Sequence, residues 1–490
     1  MRMKRLFCIF LIVLAAACGK DDLIIVDDGG NQGNTVVDNG GDGNGGGDEN
    51  GGDNGNGGGD ENGGSGENGG GGGQEGNQPP EFERFLPVLP ASGTVPEIRI
   101  TISESEWEKL LAAFNKDSNT QEYINCDVDY SDGTVKERVA RAGLRLKGNT
   151  SRRYPGEAGH LQHVHFGLHF SEYVKGQKLL GTSRLDLKWF KDDAAYCREV
   201  FCYDLFQRAG IWTAISAGYT RLWIKIGEKE TYMGVYILME HVRGDYLKRR
   251  ETLFGGRDGH LWKGRWGGSL KDPNGWMGAD DNKNNYTYEL KSDETDFAAA
   301  KAQLQDFIRK LNSLKGEEFY AWAEQKMDVP LLLRTYAVNV LVGMWDDYWT
   351  SGNNYYFYFN PAGRFYFIPY DYDNTLGTSL YYDSGRQNPL HWGDDKANPL
   401  IAKLLARDEW REYYVQCLKD LCAGDFQADT AMARISSWHK AISGFVSNDT
   451  GQDMTIADRP ASWGNHAEYR ILSPGNNNFF SVKASVVDAL

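Results

Sequence analysis

The chain has 490 residues, a formal net charge of −15 and 40% hydrophobic residues, so it is long enough for more than one folded domain. Thirteen acidic residues lie between Asp21 and Glu75 with no basic residue among them, so most of the negative charge belongs to this segment. The rest of the chain is only mildly acidic. The lack of a basic bias in its sequence argues against a nucleic-acid partner.

The first residues predict export from the cell. Three basic residues precede an apolar run that ends before Cys18, and this run is too short to span a membrane. The A-A-A-C ending resembles a lipoprotein signal, in which residues 1–17 are removed and Cys18 is acylated. The G-K-D-D sequence that follows resembles an acidic tag for display on the outer face of the outer membrane. We therefore predict an outer membrane lipoprotein, exposed at the cell surface and attached to the membrane through the lipid at Cys18.

Residues 18–80 are predicted to form a disordered tether. From Gly29 to Gln78 the chain is nearly all Gly, Asn, Asp and Glu. A segment of this composition has little apolar surface to bury and repels itself, so it does not form a packed core. Folded sequence is expected to begin near Pro87.

Five cysteines remain when Cys8 and Cys18 are set aside. Their number is odd and the sequence has no C-x-x-C, which excludes a zinc ribbon and favours buried free thiols over disulfide bridges. The five are Cys126, Cys197, Cys202, Cys417 and Cys422.

Residues 87–245 are predicted to be rich in β-strands, because short apolar and alternating runs are separated by turn residues. Two amphipathic helices are expected among them, at 103–115 and 194–209. The predicted strands are 97–102, 124–130, 134–141, 144–147, 185–189, 219–226 and 233–239.

A further strand around residues 163–170 carries three histidines. The alternation places His163, His165 and His169 on one face and apolar residues on the other. Three imidazoles on one strand face are suited to zinc, which would indicate a hydrolase or another metalloenzyme. A solvated strand face explains the same pattern, and we favour that interpretation.

Residues 246–490 are predicted to be mostly helical, around one aromatic β-hairpin. The hairpin strands are residues 355–359 and 364–368, on either side of an Asn-Pro-Ala-Gly turn. Residues 255–285, rich in Gly, Trp, Asp and Asn, are expected to form a long surface loop. The predicted helices are 295–314, 330–345, 398–423 and 429–446.

The aromatic hairpin predicts a site of acidic and amide side chains. It should bring Asp346 and Asp347, which precede it, close to Asp371 and Asp373, which follow it, with Asn354 alongside. Carboxylate and amide oxygens suit a hard divalent ion such as Mg²⁺. A carboxylate that does not bind the metal could orient a hydroxyl nucleophile, as in phosphoryl transfer by protein kinases. Each Asp taken singly is also explained as a turn or helix cap.

Two other stretches have features of a nucleotide site. The loop K-G-N-T-S-R, residues 147–152, offers a basic side chain, a Gly and small polar groups that could approach phosphates closely; an ordinary β-turn is the alternative. The strand at 233–239 leads into Glu240, a short connector and a helix, a shape used by nucleotide pockets. A helix N-terminal acid explains Glu240 equally well.

Five stretches together resemble the spore coat protein H (CotH) kinase family. They are L-R-L-K-G-N-T-S, the helix with Arg198, G-V-Y-I-L-M-E-H-V, W-D-D-Y with N-N-Y-Y-F-Y, and I-P-Y-D-Y-D-N-T-L-G, spread over residues 141–405. The resemblance implies an α+β, two-lobed atypical protein-kinase-like fold, with a β-rich lobe at 87–245 and a mostly helical lobe at 246–490. It also implies transfer of the ATP γ-phosphate to Ser or Thr hydroxyls of a protein substrate, with Mg²⁺.

The resemblance also implies roles for single residues. Asp346 would be the catalytic base, and Asp347 falls where many members of the family have Gly. Metal would be held by Asn354 and Asp371, with Asp373 as a second or alternative ligand. The nucleotide would be contacted by Lys147, Asn149, Arg198 and Glu240.

The chain departs from the family at its histidine strand. His163 and His165 lie where the family commonly has a Lys-rich strand, and a neutral imidazole is a poor substitute for an ammonium on phosphate. Either Lys147 or Lys188 then takes that role, or the chain is a catalytically inactive kinase-like lipoprotein that binds or adheres at the surface. The 14 Trp and 26 Tyr residues would also suit stacking on glycans.

Overall fold

The computed structural model describes residues 82–279 and 286–490. The predicted signal sequence, Cys18 and the tether lie outside these residues. The described chain belongs to one unit that extends from Pro79 to Leu490, and it mixes helices and sheets as the α+β prediction requires. Within it, every helix is too short or too polar to cross a membrane.

Seven strands of the first half close into a β-barrel, in the order β1-β2-β3-β6-β7-β9-β8. Neighbouring strands are antiparallel except β1 and β8, which pair in parallel and close the barrel. The strands are β1 Glu97–Ile102, β2 Ile124–Ser131, β3 Lys136–Lys147, β6 His165–His169, β7 Arg184–Lys188, β8 Ala217–Ile226 and β9 Lys229–Glu240, and two short strands, β4 Gly156–Glu157 and β5 His160–Leu161, form a separate pair.

Two helices accompany the barrel. Helix α1, Glu104–Lys116, begins at Ser103, whose hydroxyl accepts the Glu106 N–H at 3.2 Å as an N-cap. Helix α2, Arg198–Arg208, is nearly all buried. It packs against strand β8 and against a helix of the second half, so it connects the two halves of the core.

The second half contains a five-stranded sheet in the order β11-β12-β10-β13-β14. Strands β13 and β14 are the aromatic hairpin, in the register Tyr356↔Ile368, and all their residues are buried. Gly363 closes the turn with φ +74°, a conformation that favours glycine. The strands are β10 His260–Gly264, β11 Met277–Gly278, β12 Tyr288–Leu290, β13 Tyr355–Phe359 and β14 Phe365–Pro369.

Helices surround this sheet. Helix α7 packs against strand β14 and helix α10, and almost all of its residues are buried. The second-half helices are α3 Gly244–Arg249, α4 Glu251–Phe254, α5 Phe297–Ser313, α6 Gly316–Lys326, α7 Val329–Leu341, α8 Tyr348–Ser351, α9 Pro399–Leu405, α10 Asp408–Ala423, α11 Ala428–Ile442 and α12 Phe479–Asp488.

Several predicted boundaries were wrong because tertiary packing overrode local signals. The two strands predicted at 134–141 and 144–147 are one strand, β3, which bends where its register with β2 shifts between Cys126 and Val128. The predicted surface loop 255–285 contains the central strand β10, whose Trp262 is fully buried. The last forty residues, whose sequence pattern predicts no helix or strand, also include helix α12.

The helix predicted at 330–345 ends earlier, at Leu341. Gly343 follows with φ +73°, and the Met344 N–H returns to the Asn339 carbonyl at 3.1 Å, so the chain turns out of the helix there. Asp346 is therefore presented by a loop and not by a helix end. The helix predicted at 398–423 is likewise divided into α9 and α10.

The described cysteines are free. Cys126, Cys197, Cys202 and Cys422 are buried, and Cys417 is half-buried. The prediction of free thiols is confirmed. Burial raises the pKa of Cys422 to about 12, so this thiol is un-ionised at neutral pH.

Candidate active site

The site is organised around Lys188, the last residue of strand β7. Its ammonium Nζ lies 2.6 Å from Glu199 Oε2, 2.5 Å from Asp371 Oδ1 and 3.4 Å from Asp373 Oδ2. Burial opposes the charged form of Lys188, but the three carboxylates outweigh it and hold the pKa of Lys188 well above its usual value. Lys188 is therefore a permanent cation at the meeting point of the barrel, helix α2 and the segment after β14.

Glu199 reaches Lys188 because of how helix α2 begins. The Asp193 carboxylate accepts the backbone N–H groups of Cys197 at 2.9 Å and Arg198 at 2.8 Å, which satisfies two free donors at the start of the helix. Glu199 then falls in the first turn and is 1% exposed. A buried carboxylate needs a partner, and Lys188 supplies it.

The three carboxylates carry more negative charge than one ammonium neutralises. Oxygens of Glu199, Asp371 and Asp373 lie within 4.8 Å of one another. Burial, with the Asp373 and Asp371 charges, raises the pKa of Glu199 to about 8. Burial and the Asp371 charge raise the pKa of Asp373 to about 6. Clustered hard oxygen atoms with surplus negative charge fit Mg²⁺, the metal that the sequence predicted.

Asp371 has a strained backbone that its neighbours hold in place. Its φ is +66°, in the left-handed region that a non-glycine residue rarely adopts. Its N–H donates to the Tyr203 hydroxyl at 2.9 Å, and Tyr203 lies on the same helix α2 as Glu199. Helix α2 therefore positions both the Glu199 carboxylate and the Asp371 backbone.

Asp346 lies close to this cluster but is not one of its three carboxylates. Its side chain accepts hydrogen bonds from Ser351 Oγ at 2.9 Å, Asn353 Nδ2 at 3.2 Å and Asn354 Nδ2 at 2.9 Å. Burial raises the pKa of Asp346, and the Asp371 charge adds to the effect. Three donors fix the orientation of this carboxylate, and its charge interacts with that of Asp371 across the site.

The neighbouring Asp347 has a different environment. It is 3% exposed, and its carboxylate caps helix α8 by accepting the Thr350 N–H at 2.8 Å. It also accepts a hydrogen bond from Asn339 Nδ2 at 2.5 Å. Both of its carboxylate oxygens thus accept hydrogen bonds inside the protein.

Lys147 lies at the end of β3 and forms an ion pair with Asp186, not with the three carboxylates. His241 Nδ1 lies 2.9 Å from Asp186 Oδ2, and burial lowers the pKa of His241 to about 4, which keeps its ring neutral. Of the two lysines that the sequence offered for the phosphate role, Lys188 is the one that contacts Asp371.

Asn149 is exposed in the loop that follows Lys147. The next residues of this loop line a cleft of about 350 Å³ together with Trp189 and Lys191. The Arg153 guanidinium lies 4.3 Å from the centroid of the Trp189 ring. Trp189 directly follows Lys188 in the chain, but neither Lys188 nor any of the three carboxylates lines this cleft.

Arg198 and Glu240 are fully buried and already paired. Arg198 bonds Asp193 Oδ1 at 2.6 Å and the Thr375 carbonyl at 3.0 Å, which ties helix α2 to the segment after Asp373. Glu240, the last residue of β9, accepts two hydrogen bonds from Arg250 at 2.8 Å. The structure places these two side chains in the scaffold around the site, and neither joins the carboxylate cluster.

The prediction of a solvated histidine face was wrong. His163 and His165 are 3% and 4% exposed. His165 Nδ1 accepts the Trp189 N–H at 3.1 Å, and the two rings lie 4.9 Å apart between centroids. Among the described residues, the three-carboxylate cluster is the group that could hold a metal, and the histidines are not part of it.

Glu199 is the residue of the candidate site that the sequence does not single out, because its pattern predicts only an amphipathic helix at 194–209. The available signal was a Lys at the end of a strand and a Glu eleven residues later at the start of a helix. Such spacing is common, and the contact itself depends on the turn between the strand and the helix.

Protein kinases also pair a strand lysine with a helix glutamate and place Asp residues beside them. The sequence model of the CotH kinase protein family matches residues 144–471, and the chain belongs to this family. The chain is also 26% identical to the inner spore coat protein H of Bacillus subtilis (strain 168) over 277 residues, which cover 55% of this chain and 70% of that protein.

Proposed function

We propose that this protein is an atypical protein kinase that transfers the γ-phosphate of ATP to Ser or Thr hydroxyls of other proteins. The observation that carries the proposal is the Lys188–Glu199 ion pair beside Asp371, with Asp346 close by. In protein kinases a strand Lys pairs with a helix Glu, one Asp holds Mg²⁺ and another accepts the substrate hydroxyl. The barrel half, 87–245, would be the N-terminal lobe and 246–490 the C-terminal lobe.

The charges of the cluster support metal binding. Asp371 and Asp373 would hold Mg²⁺, with the Asn354 amide oxygen as a further ligand, because all offer the hard oxygen atoms that this ion requires. When bound, Mg²⁺ neutralises phosphate charge and polarises the transferring group. Lys188 would then exchange part of its contact with Asp371 for a phosphate oxygen and remain oriented by Glu199.

Asp346 is suited to act as the base. Its three hydrogen-bond donors hold the carboxylate in one orientation, and it stands apart from the three carboxylates around Lys188. A substrate hydroxyl that donates to Asp346 would be aligned for attack, and the proton would pass to this carboxylate. Phosphoryl transfer requires mainly such positioning and electrostatic stabilisation.

The N-terminal segment would determine the cellular localisation of the kinase domain. As an outer membrane lipoprotein anchored at Cys18, with residues 18–80 as a flexible tether, the kinase domain would act on proteins at the cell surface.

The test is transfer of labelled phosphate from [γ-³²P]ATP by the purified mature chain, to itself and to a general protein substrate. We expect incorporation on Ser or Thr that requires Mg²⁺, falls by at least about 100-fold with a chelator and returns when Mg²⁺ is restored. An Asp306→Asn variant, which changes an exposed aspartate of helix α5, should transfer normally. Nucleotide binding without any transfer, or transfer that is indifferent to the chelator, would contradict the proposal.

A further inference from the structure

Lys263 is a half-buried cation with no counter-ion among the residues that the structure describes. It lies on strand β10, in register with Glu289 of β12 and Tyr356 of β13. Its Nζ is 5.4 Å from the centroid of the Tyr356 ring and 5.1 Å from that of Tyr370. Within residues 82–279 and 286–490 its ammonium forms no hydrogen bond or ion pair, so the two aromatic rings are the main stabilisation of this group.

The charges around Lys263 are mostly positive. Burial, with the Arg265, Lys291 and Lys147 charges, lowers the pKa of Lys263 to about 7. Glu289 is the nearest carboxylate in register, but it already accepts a hydrogen bond from Arg265 Nε at 2.9 Å and pairs with Lys291. A desolvated ammonium among other cations is unfavourable unless an anion completes the site.

Lys263 faces the candidate active site. Tyr370 directly precedes Asp371, and the Lys263 charge is among those that lower the pKa of Asp371. Burial and the charge of Asp186, on barrel strand β7, raise the pKa of the Tyr356 hydroxyl. The ammonium therefore lies where the second sheet faces the barrel, close to both Asp371 and Lys147.

These contacts give the site two chemically different ends. One end has three carboxylates around Lys188 and suits a cation. The other has Lys263 without an anionic partner, with further cations beside it. A ligand that carries several phosphates, and a metal ion with them, matches both ends, whereas an uncharged ligand leaves Lys263 unpaired.

We propose that Lys263 is an anion-binding residue of the nucleotide site and that its ammonium binds a phosphate oxygen of the nucleotide. This inference rests on the proposed kinase function. Lys263 is a binding residue here, separate from the transfer chemistry at Asp346. Strand β10 would then contribute a residue to the nucleotide site.

Lys483 provides a matched control within the same chain. It is a fully buried lysine whose Nζ has no hydrogen-bond partner and lies 4.5 Å from the centroid of the Trp392 ring. Burial lowers its pKa to about 7, as for Lys263. Its charged neighbour is Asp383, away from the carboxylate cluster, so Lys483→Met tests the loss of a buried ammonium without touching the site.

The test compares the full mature chain with Lys263→Met, Lys263→Arg and Lys483→Met by calorimetric titration with inorganic tripolyphosphate, ATP and adenosine in Mg²⁺. Loss of one charge-assisted hydrogen bond should weaken tripolyphosphate and ATP about 10- to 100-fold in Lys263→Met. Adenosine affinity should stay within about twofold, and Lys263→Arg and Lys483→Met should bind like the wild type.

Unchanged tripolyphosphate and ATP affinity in Lys263→Met, or a selective loss of adenosine binding, would overturn the inference; so would a wild type that binds no tripolyphosphate. These measurements distinguish a failure of the Lys263 inference from a failure of the proposed kinase function. If Lys263 governs tripolyphosphate binding but the wild type transfers no phosphate, the anion site stands and the kinase proposal fails. If the wild type transfers phosphate and Lys263→Met binds ATP normally, only the Lys263 inference fails.

Discussion

Lys188→Met is expected to lower the rate of phosphate transfer by about 10²- to 10³-fold, because it removes a preorganised cation from the transferring group. The same change should strengthen Mn²⁺ binding. Without the ammonium, the carboxylates of Glu199, Asp371 and Asp373 lose their only cation within ion-pair distance among the described residues. Transfer and metal affinity would thus change in opposite directions, which a general loss of folding would not produce.

The measurement is a single-turnover transfer assay together with a Mn²⁺ titration followed by electron paramagnetic resonance. Lys483→Met is the matched control, because Lys483 is also a buried lysine and its charged neighbour is Asp383 instead of the cluster. Removing one member of a buried ion group costs about 3–5 kcal/mol, so the melting temperature of Lys188→Met is measured with and without Mn²⁺. Full transfer by a folded Lys188→Met protein would remove Lys188 from the mechanism.

Asp346→Asn is expected to lower transfer by about 10²- to 10⁴-fold while the binding of ATP and Mg²⁺ changes much less. The reason is that Asp346 would meet the substrate hydroxyl and is not one of the carboxylates around Lys188, so the effect on Mg²⁺, through Asn354 and the Asp371 charge, should be much smaller than the effect on transfer. Asparagine keeps the size of the side chain but cannot accept the proton. Steady-state kinetics should therefore show a fall in kcat with little change in the KM for ATP.

Asp347→Asn is the neighbouring control. Its carboxylate caps helix α8 and accepts from Asn339, so the change should lower the melting temperature and retain most of the turnover of the folded protein. If Asp347→Asn abolished turnover and Asp346→Asn did not, the assignment of the base would be reversed.

The local parts of the fold were predictable. The aromatic hairpin follows from two aromatic runs around an Asn-Pro-Ala-Gly turn, and its observed strands are Tyr355–Phe359 and Phe365–Pro369. Helix α1 follows from its Ser103 cap. The central strand β10 was not predicted, because its partners β12 and β13 are distant in sequence and its own residues are rich in Gly and Trp.

The candidate site, like the fold, has residues that local sequence predicts and residues that only tertiary structure brings together. Asp346, Asp371 and Asp373 could be found because they flank one hairpin, and local structure alone brings them near each other. The contact between Lys188 and Glu199 depends on the capped turn at Asp193, and Lys263 depends on the strand order of the second sheet. No local sequence pattern reports those placements. The burial of the histidines was not predicted for a related reason. An alternating pattern shows which residues share a strand face but not what covers the polar face.

The proposed function requires that Asp371, Lys188 and Asp346 surround one metal–nucleotide complex. A crystal structure with Mn²⁺ and a non-hydrolysable ATP analogue can locate both ligands, because Mn²⁺ gives an anomalous signal. We expect an anomalous peak within about 2.3 Å of an Asp371 oxygen, and a terminal phosphate between Lys188 and Asp346. A peak or a nucleotide bound away from Asp371, with the carboxylate cluster still closed on Lys188, would contradict it.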